Sequence, residues 1–277
     1  MQIRPQRCDI FDAQHVMPTL EKIEHIARVC HKSQDKTKAG GSIKFLQTLW
    51  DMGHGSVFEH VYVCVRENRI LATMLQFGNP WPYGMGNRVL VTDDQRKDLP
   101  PDTLPVNGRD FLALGGTLEE LAELPQAPAS YYNTLCVYTD RGISHQLVRH
   151  RQLSFTQEST RYVDYTKPGN EFVVIEPIEL QDAPAEARAA WEFSCEASCV
   201  AYEKLISCGM KPQAARSVLP TALATKLYIT GTTDQLQHML KLRYVSKAAQ
   251  PQVRALLAPL ANHYSIMKEE ENGTEKK

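Results

Sequence analysis

Residues 131–162 read YYNTLCVYTDRGISHQLVRHRQLSFTQESTRY, a strand signal that runs into a helix and then into a dense basic run. Tyr131 to Tyr138 has the aromatic and β-branched texture of a strand. Asp140 stands where a helix N-cap belongs, ahead of Ile143, Leu147 and Val148 as one apolar face. This helix carries Gln146 and Arg149 about one turn apart, so that both point at one ligand. The basic triplet Arg149-His150-Arg151 follows, then seven residues, then Ser159 and Arg161. Arginine offers a planar fork of donors suited to phosphate and carbonyl edges, and stays charged at any working pH. A charge run is usually a solvated face. This one is bracketed by apolar residues and includes Gln157, Ser159 and Thr160, groups that a solvated face would not need. It reads as an anion or nucleotide site.

Outward from this stretch, the apolar pattern predicts the remaining elements. Leu20, Ile23, Ile26, Ala27 and Cys30 form a helical stripe over residues 18–33. Ser42 opens a second helix through Phe45, Leu46 and Leu49, stopped at Gly53. Gly53 to His60 then reads as a polar loop feeding a strand in which Val61, Val63 and Val65 alternate with Tyr62, Cys64 and Arg66. Between Glu67 and Ser130 prolines and glycines break every long periodicity, apart from one short helix opened by the capping box Thr117-Leu118-Glu119-Glu120. This stretch reads as an inserted lobe or elaborated loop without a core of its own. Toward the C-terminus the expectation is a buried strand at Phe172 to Ile175 and a long helix from Ala183 to Cys208 ended by Gly209. A short helix carrying Arg216 and closed by Pro220 follows, then a strand from Leu223 to Thr230. The next helix runs from Asp234 to Arg243, capped by Thr232 or Thr233, and Pro251 begins the last one.

The chain has 277 residues, with Lys+Arg 31 against Asp+Glu 32. That is room for a substantial core. The near-zero net charge argues against a general nucleic-acid binder, which carries a basic excess; positive charge is local instead, as a small-anion pocket requires. Cys8, Cys30, Cys64, Cys136, Cys195, Cys199 and Cys208 are odd in number and lack zinc or redox spacing. Cys195 and Cys199 share a helix face and pack as small hydrophobes. A reducing cytoplasm is the simplest setting. Met1 to Pro5 has no signal-peptide core, and no apolar run is long enough to span a membrane. The sequon Asn272-Gly273-Thr274 reads as chance, and the charged tail from Lys268 to Lys277 as frayed.

Several chemistries are excluded or disfavoured by spacing. His54, Glu59 and His60 do not share a helix face as zinc ligands would, and a strand beginning near Glu59 would send Glu59 and His60 to opposite sides, so no metal site is expected. His54 reads instead as a ligand contact or a structural histidine. Ser159 lacks a nucleophile elbow and a convincing third triad member, and hydrogen bonding to phosphate or sugar suits it better. Neither a G-x-G-x-x-G fingerprint nor a P-loop occurs. Arg216 and Arg243 matter only if the fold or an oligomer brings them beside residues 149–161.

Three separated segments resemble the flavin-dependent thymidylate synthases. Arg149-His150-Arg151 with Ser159 and Arg161-Tyr162 matches the family's Arg-His-Arg, seven residues, Ser hallmark. Gly53-His54-Gly55-Ser56-Val57-Phe58-Glu59-His60 matches its Gly-His element, and Ala215-Arg216-Ser217-Val218-Leu219-Pro220 its C-terminal Ala-Arg-x-x-Leu-Pro element. The resemblance covers most of residues 20–66 and 131–265. It implies an α+β fold, a mixed sheet flanked by helices, as a single domain over residues 1–277 with an insertion at about 67–130, between the first strand and the motif-bearing helix. It implies a homotetramer with shared active sites that methylates dUMP, using methylenetetrahydrofolate as carbon donor and NADPH-reduced FAD as hydride source, with neither nucleic acid nor membrane as partner. A UMP methylase or a dUMP hydroxymethylase is the alternative within the same chemistry, and a non-catalytic nucleotide- or RNA-binding protein the distant one.

Carried over by motif, FAD would be held by His54, Ser56, Glu59, Arg149, His150, Arg151, Gln157, Thr232, Thr233, Asp234 and His238. The dUMP site would comprise Gln146, Arg149, Gln157, Glu158, Ser159, Thr160, Arg161, Arg216 and Arg243, some from neighbouring subunits. Arg243 is the catalytic expectation, matching the residue that favours ionisation of the uracil imide. A cation ~4 Å away at an effective dielectric of ~20 contributes about 4 kcal/mol to such an ionisation. The chain departs from the family pattern at Thr232, often asparagine, at Lys247, usually histidine, and at Gln252, commonly glutamate.

Overall fold

A computed structural model describes residues 1–69 and 93–264. In chain order, strands β1 (Gln2–Ile3) and β2 (Arg7–Phe11) precede helices α1 (Thr19–Ala27) and α2 (Ile43–Asp51), a 3-10 turn at Gly55–His60 and β3 (Tyr62–Arg66). Next come α3 (Asp93–Lys97), β4 (Thr103–Asn107), α4 (Gly108–Ala113) and α5 (Leu118–Glu123). The central block is β5 (Tyr132–Asp140), α6 (Arg141–Leu147), β6 (Ser154–Gln157) and β7 (Val173–Val174). The chain continues with α7 (Ala185–Ser207), α8 (Pro212–Ala215), β8 (Ala224–Thr232), α9 (Thr233–Leu240), a π-turn at Lys241–Val245 and α10 (Pro251–His263). None of the described helices is long and apolar enough to cross a membrane.

The fold is α+β. Its main sheet has the order β2-β5-β8-β6 and is antiparallel at every pairing, with Leu135 opposite Ile229 and Phe155 also opposite Ile229 on the other flank of β8. The parallel pairing that a mixed sheet requires lies apart, between the two-residue strands β1 and β7, and β3 pairs antiparallel with β4 in a third small sheet. Strand β8 is central because it is buried nearly throughout, whereas β6 is a four-residue edge. Leu135, Val137 and Ile229 join Ile143 and Leu147 of α6, Leu236, Met239 and Leu240 of α9, and Val253 and Leu257 of α10 in the principal core.

The caps expected from sequence form. Ser42 Oγ accepts from Phe45 N, Asp140 Oδ1 accepts from Ile143 N at 2.7 Å, and Thr232 with Gln235 makes a reciprocal capping box. Thr117 and Glu120 make another. The long helix closes at Cys208, with Gly209 at φ +86, a backbone conformation glycine adopts without strain. Cys195 and Cys199 face inward beside Tyr202.

Other expectations need revision. Residues 55–60 form a 3-10 turn, so Glu59 and His60 diverge by helical rotation, not by strand alternation. In β3 the valines do alternate with Tyr62 and Cys64, but both faces are buried, because Tyr62 and Cys64 pack on Tyr131 and Tyr132. Strand β4 and helix α4 were hidden by the proline- and glycine-rich texture. Pro105 is accommodated because, among the described residues, β4 pairs only with β3 in a two-stranded ladder. Val106, Phe111, Leu118 and Leu121 share one core with Leu20, Ile23 and Leu46 of α1 and α2, so this part of the stretch is built into the molecule. The 70–92 portion of the expected lobe, the tail and the sequon lie outside the described residues.

Candidate functional site

Helix α6 ends at Leu147, earlier than its apolar pattern suggested, and Val148 at its C-cap is exposed. Five residues advance a helix by about 140° beyond a full turn, so Val148 cannot share the face of Ile143. Arg149 therefore stands on a turn past the helix and not on the helical face of Gln146. Two backbone bonds shape that turn, His150 N to Leu147 O and Leu153 N to His150 O. Arg149 and Arg151 project outward and, among the described residues, have no carboxylate partner.

The turn forms one wall of a cavity of about 480 Å³ lined by Arg149, His150, Arg151, Gln152, Leu153, Gln235, His238, Leu242 and Arg243. The opposite wall comes from α9 and the π-turn that succeeds it, a local widening often found at functional sites. Arg243 reaches across: its Nε donates to His150 Nε2 at 3.0 Å, and its Nη2 donates to the Gln146 carbonyl at 3.1 Å. Burial, with Arg243 and then His238 adding positive charge, lowers the His150 pKa to about 4. The ring is neutral at ordinary pH. The Gln146 side chain is turned elsewhere, donating to Gln250 Oε1 at 2.7 Å.

The 54–59 element adjoins the same end of β6. Glu59 accepts from Ser154 Oγ at 2.8 Å, next to the cavity residue Leu153, and its other oxygen is ion-paired with Arg109. Arg109 lies against Gly55, where a Cβ would meet its guanidinium. His54 and Ser56 are exposed beside it. The Thr232–Asp234 turn reaches the cavity through Gln235, whose side chain accepts from Thr232 N in the capping box. His60 is not beside these groups. It is fully buried, with Nδ1 2.7 Å from Thr230 Oγ1 and Nε2 2.9 Å from Thr156 Oγ1, and burial lowers its pKa to about 3.

The remaining predicted residues cluster at the far end of β6, about 16 Å from Leu153 along five extended residues. Ser159 N donates to Cys30 O, and Arg216 Nη1 lies 3.5 Å from Thr160 Oγ1. Arg161 covers the Tyr162 ring, on which His31 stacks with centroids 4.5 Å apart. Glu158 points inward, taking a hydrogen bond from Tyr165 Oη at 3.1 Å and an ion pair from Lys32 at 3.3 Å. Burial still raises its pKa, outweighing the lowering by Lys32 and by the Tyr165 bond. Gln157, between the two ends, donates to Ser144 Oγ and Thr225 Oγ1.

The fold thus brings Arg243 to the Arg149–Arg151 turn and Arg216 to the Ser159–Arg161 end, but not the two ends together within one chain. Sequence reasoning missed Arg109, Lys32 and the wall residues Gln152, Gln235 and Leu242. Only Gln235 had a legible signal, as the third residue after the Thr232 cap. Gln252, where glutamate was the resemblance's expectation, is buried and structural: it donates to Asp140 Oδ2 and accepts from Ile178 N. The described residues contain no cluster of three or more groups able to hold a metal ion. The cavity's donor set, with arginines, histidines and glutamines beside Leu153 and Leu242, fits a ligand combining anionic phosphate with a flat, partly apolar ring.

Residues 129–266 match the family model described as thymidylate synthase complementing protein. The chain is 38% identical over 116 residues to a flavin-dependent thymidylate synthase of Geobacter sulfurreducens, covering 42% of this chain and 48% of that one. It is 34% identical over 108 residues to one from Thermococcus onnurineus, covering 39% and 44%. With one from Mycolicibacterium gilvum it is 32% identical over 148 residues, covering 48% and 56%. The chain spans about half the length of the curated relatives it matches.

Proposed function

We propose that this chain, whose residues 129–266 match the family model described as thymidylate synthase complementing protein, is a flavin-dependent thymidylate synthase converting dUMP to dTMP. The observation that carries the reading is the cavity between the Arg149–Leu153 turn and the π-turn, with Arg243 held across its mouth by His150 and Gln146. Arg149, Arg151, Gln235 and His238 are the residues to hold FAD there, with Ser56 and the Thr232–Asp234 turn at its margin. Bound FAD, reduced by NADPH, supplies the hydride, and methylenetetrahydrofolate the carbon.

The protein's own task is orientation and electrostatics. Arg243 places a permanent positive charge where negative charge develops on the uracil imide, which makes the ring electron-rich. Ser159, Thr160, Arg161 and Arg216 suit the sugar and phosphate of the nucleotide. Because these groups and the cavity stand at opposite ends of β6, a site that needs both is completed by a neighbouring subunit, consistent with a homotetramer. In the same reading residues 129–266 carry the family's fold and the 67–130 stretch is an addition to it.

The test is to purify the protein, measure bound flavin, and assay it anaerobically with dUMP or UMP, methylenetetrahydrofolate and NADPH, identifying products by mass. A yellow protein that gives dTMP is the expected result. A colourless protein that FAD does not reconstitute would refute the proposal; a methylated UMP or a hydroxymethylated dUMP would replace the substrate or the product.

A further inference from the structure

We propose that His150 is a positioning residue for Arg243, acting as the neutral acceptor that fixes the guanidinium in the cavity mouth; the role rests on the functional reading above. A guanidinium carries five N–H donors and no acceptor. The 3.0 Å contact from Arg243 Nε to His150 Nε2 therefore requires a lone pair on Nε2 and places the ring proton on Nδ1. The second anchor, the Gln146 carbonyl, engages Nη2 at 3.1 Å. Together they hold the fork at two atoms and leave its remaining N–H groups for a ligand.

Arg243 needs such support. It is half-buried on a π-turn past the end of α9, where the regular hydrogen-bond ladder has ended. The histidine, by contrast, is well placed to give it, because its backbone is tied on both sides, to Leu147 and to Leu153. A long flexible side chain held by one carbonyl alone would sample several rotamers, and the ligand would bear the cost of ordering it. Burial and the nearby Arg243 and His238 keep the ring unprotonated, which supports the assignment.

The test measures dUMP affinity at saturating FAD by calorimetry for the wild type, His150→Leu, His150→Gln, Arg243→Ala and the His150→Leu, Arg243→Ala double variant. Gln presents an acceptor oxygen at the reach of Nε2, whereas Leu presents none. The expected result is about a tenfold loss of affinity for His150→Leu, within about threefold of wild type for His150→Gln, and no further loss when Leu is added to Arg243→Ala. Equal losses in both backgrounds would mean that His150 contacts the ligand itself, and would overturn the positioning role, as would a Gln variant no better than Leu. Nitrogen NMR of the ligand-free protein gives an independent readout. The Nδ1–H tautomer at pH 6 is expected, and a proton on Nε2 would overturn the inference without touching the functional reading. A wild type that binds neither FAD nor dUMP would overturn both.

Discussion

Replacing His60 by leucine breaks a buried polar network in the interior. In the wild type the neutral ring links Thr230 Oγ1 at 2.7 Å with Thr156 Oγ1 at 2.9 Å, and Thr230 is bonded in turn to Thr134 at 2.8 Å. Leucine removes both ring bonds. Thr230 keeps Thr134, but Thr156 loses its side-chain partner. A buried hydroxyl left unpaired costs about 1–3 kcal/mol and a lost bond about 1, so a destabilisation of about 2–4 kcal/mol follows at pH 7. The pH dependence is sharper. The folded-state pKa is lowered to about 3 from an ordinary 6.5, so the unfolded chain takes up a proton that the native state refuses. Stability from this group is present in full above pH 6.5 and drains away as pH falls toward 3. Between pH 7 and 5 the loss is about 2 kcal/mol. His15 and His150, also lowered, affect wild type and variant alike and cancel in the difference. Urea unfolding followed by circular dichroism at pH 7, 6 and 5 should show the gap between wild type and His60→Leu narrowing by about 2 kcal/mol. A gap that stays constant or widens would refute the buried neutral histidine.

Further outcomes are specific to other residues. Arg243→Ala should remove turnover while flavin stays bound, read by absorbance and by product mass; retained turnover sinks its proposed role. Ser159→Ala should keep measurable activity, since Ser159 is read as a ligand contact, and complete loss with intact dUMP binding would favour a nucleophile instead. Thr232→Ala breaks the capping box at the start of α9 and should cost about 1 kcal/mol in urea unfolding. Gly231→Ala places a Cβ against Leu153 and Gln235, so overpacking should cost about 1–3 kcal/mol and disturb the cavity wall; unchanged stability would contradict the packing.

Local chemistry made much of the molecule legible. Asp140, Ser42, Thr117 and Thr232 announced their helices because a cap is an interaction between residues two or three apart, complete within a short window. Gly209 and Pro251 marked ends for the same reason. The run from Arg149 to Arg161 stood out as a candidate ligand site because its donors crowd into a few residues. Strand β4 was not legible, since Pro105 disguises a strand unless its pairing with β3 is known. The end of α9 was missed because the π-turn keeps an apolar spacing close to that of the helix it extends.

What sequence alone determined is the set of chemical groups and the local elements that carry them. Tertiary structure decided their partners. Glu59 meets Arg109, fifty residues away, and Glu158 meets Lys32 in the interior. The single run from 149 to 162 divides into two ends separated by an edge strand, because an extended chain places residues five apart at opposite ends of a short strand. Arg243 reaches His150 across 93 residues. Such pairings depend on how helices and strands pack over the common core, and spacing along the chain does not encode them.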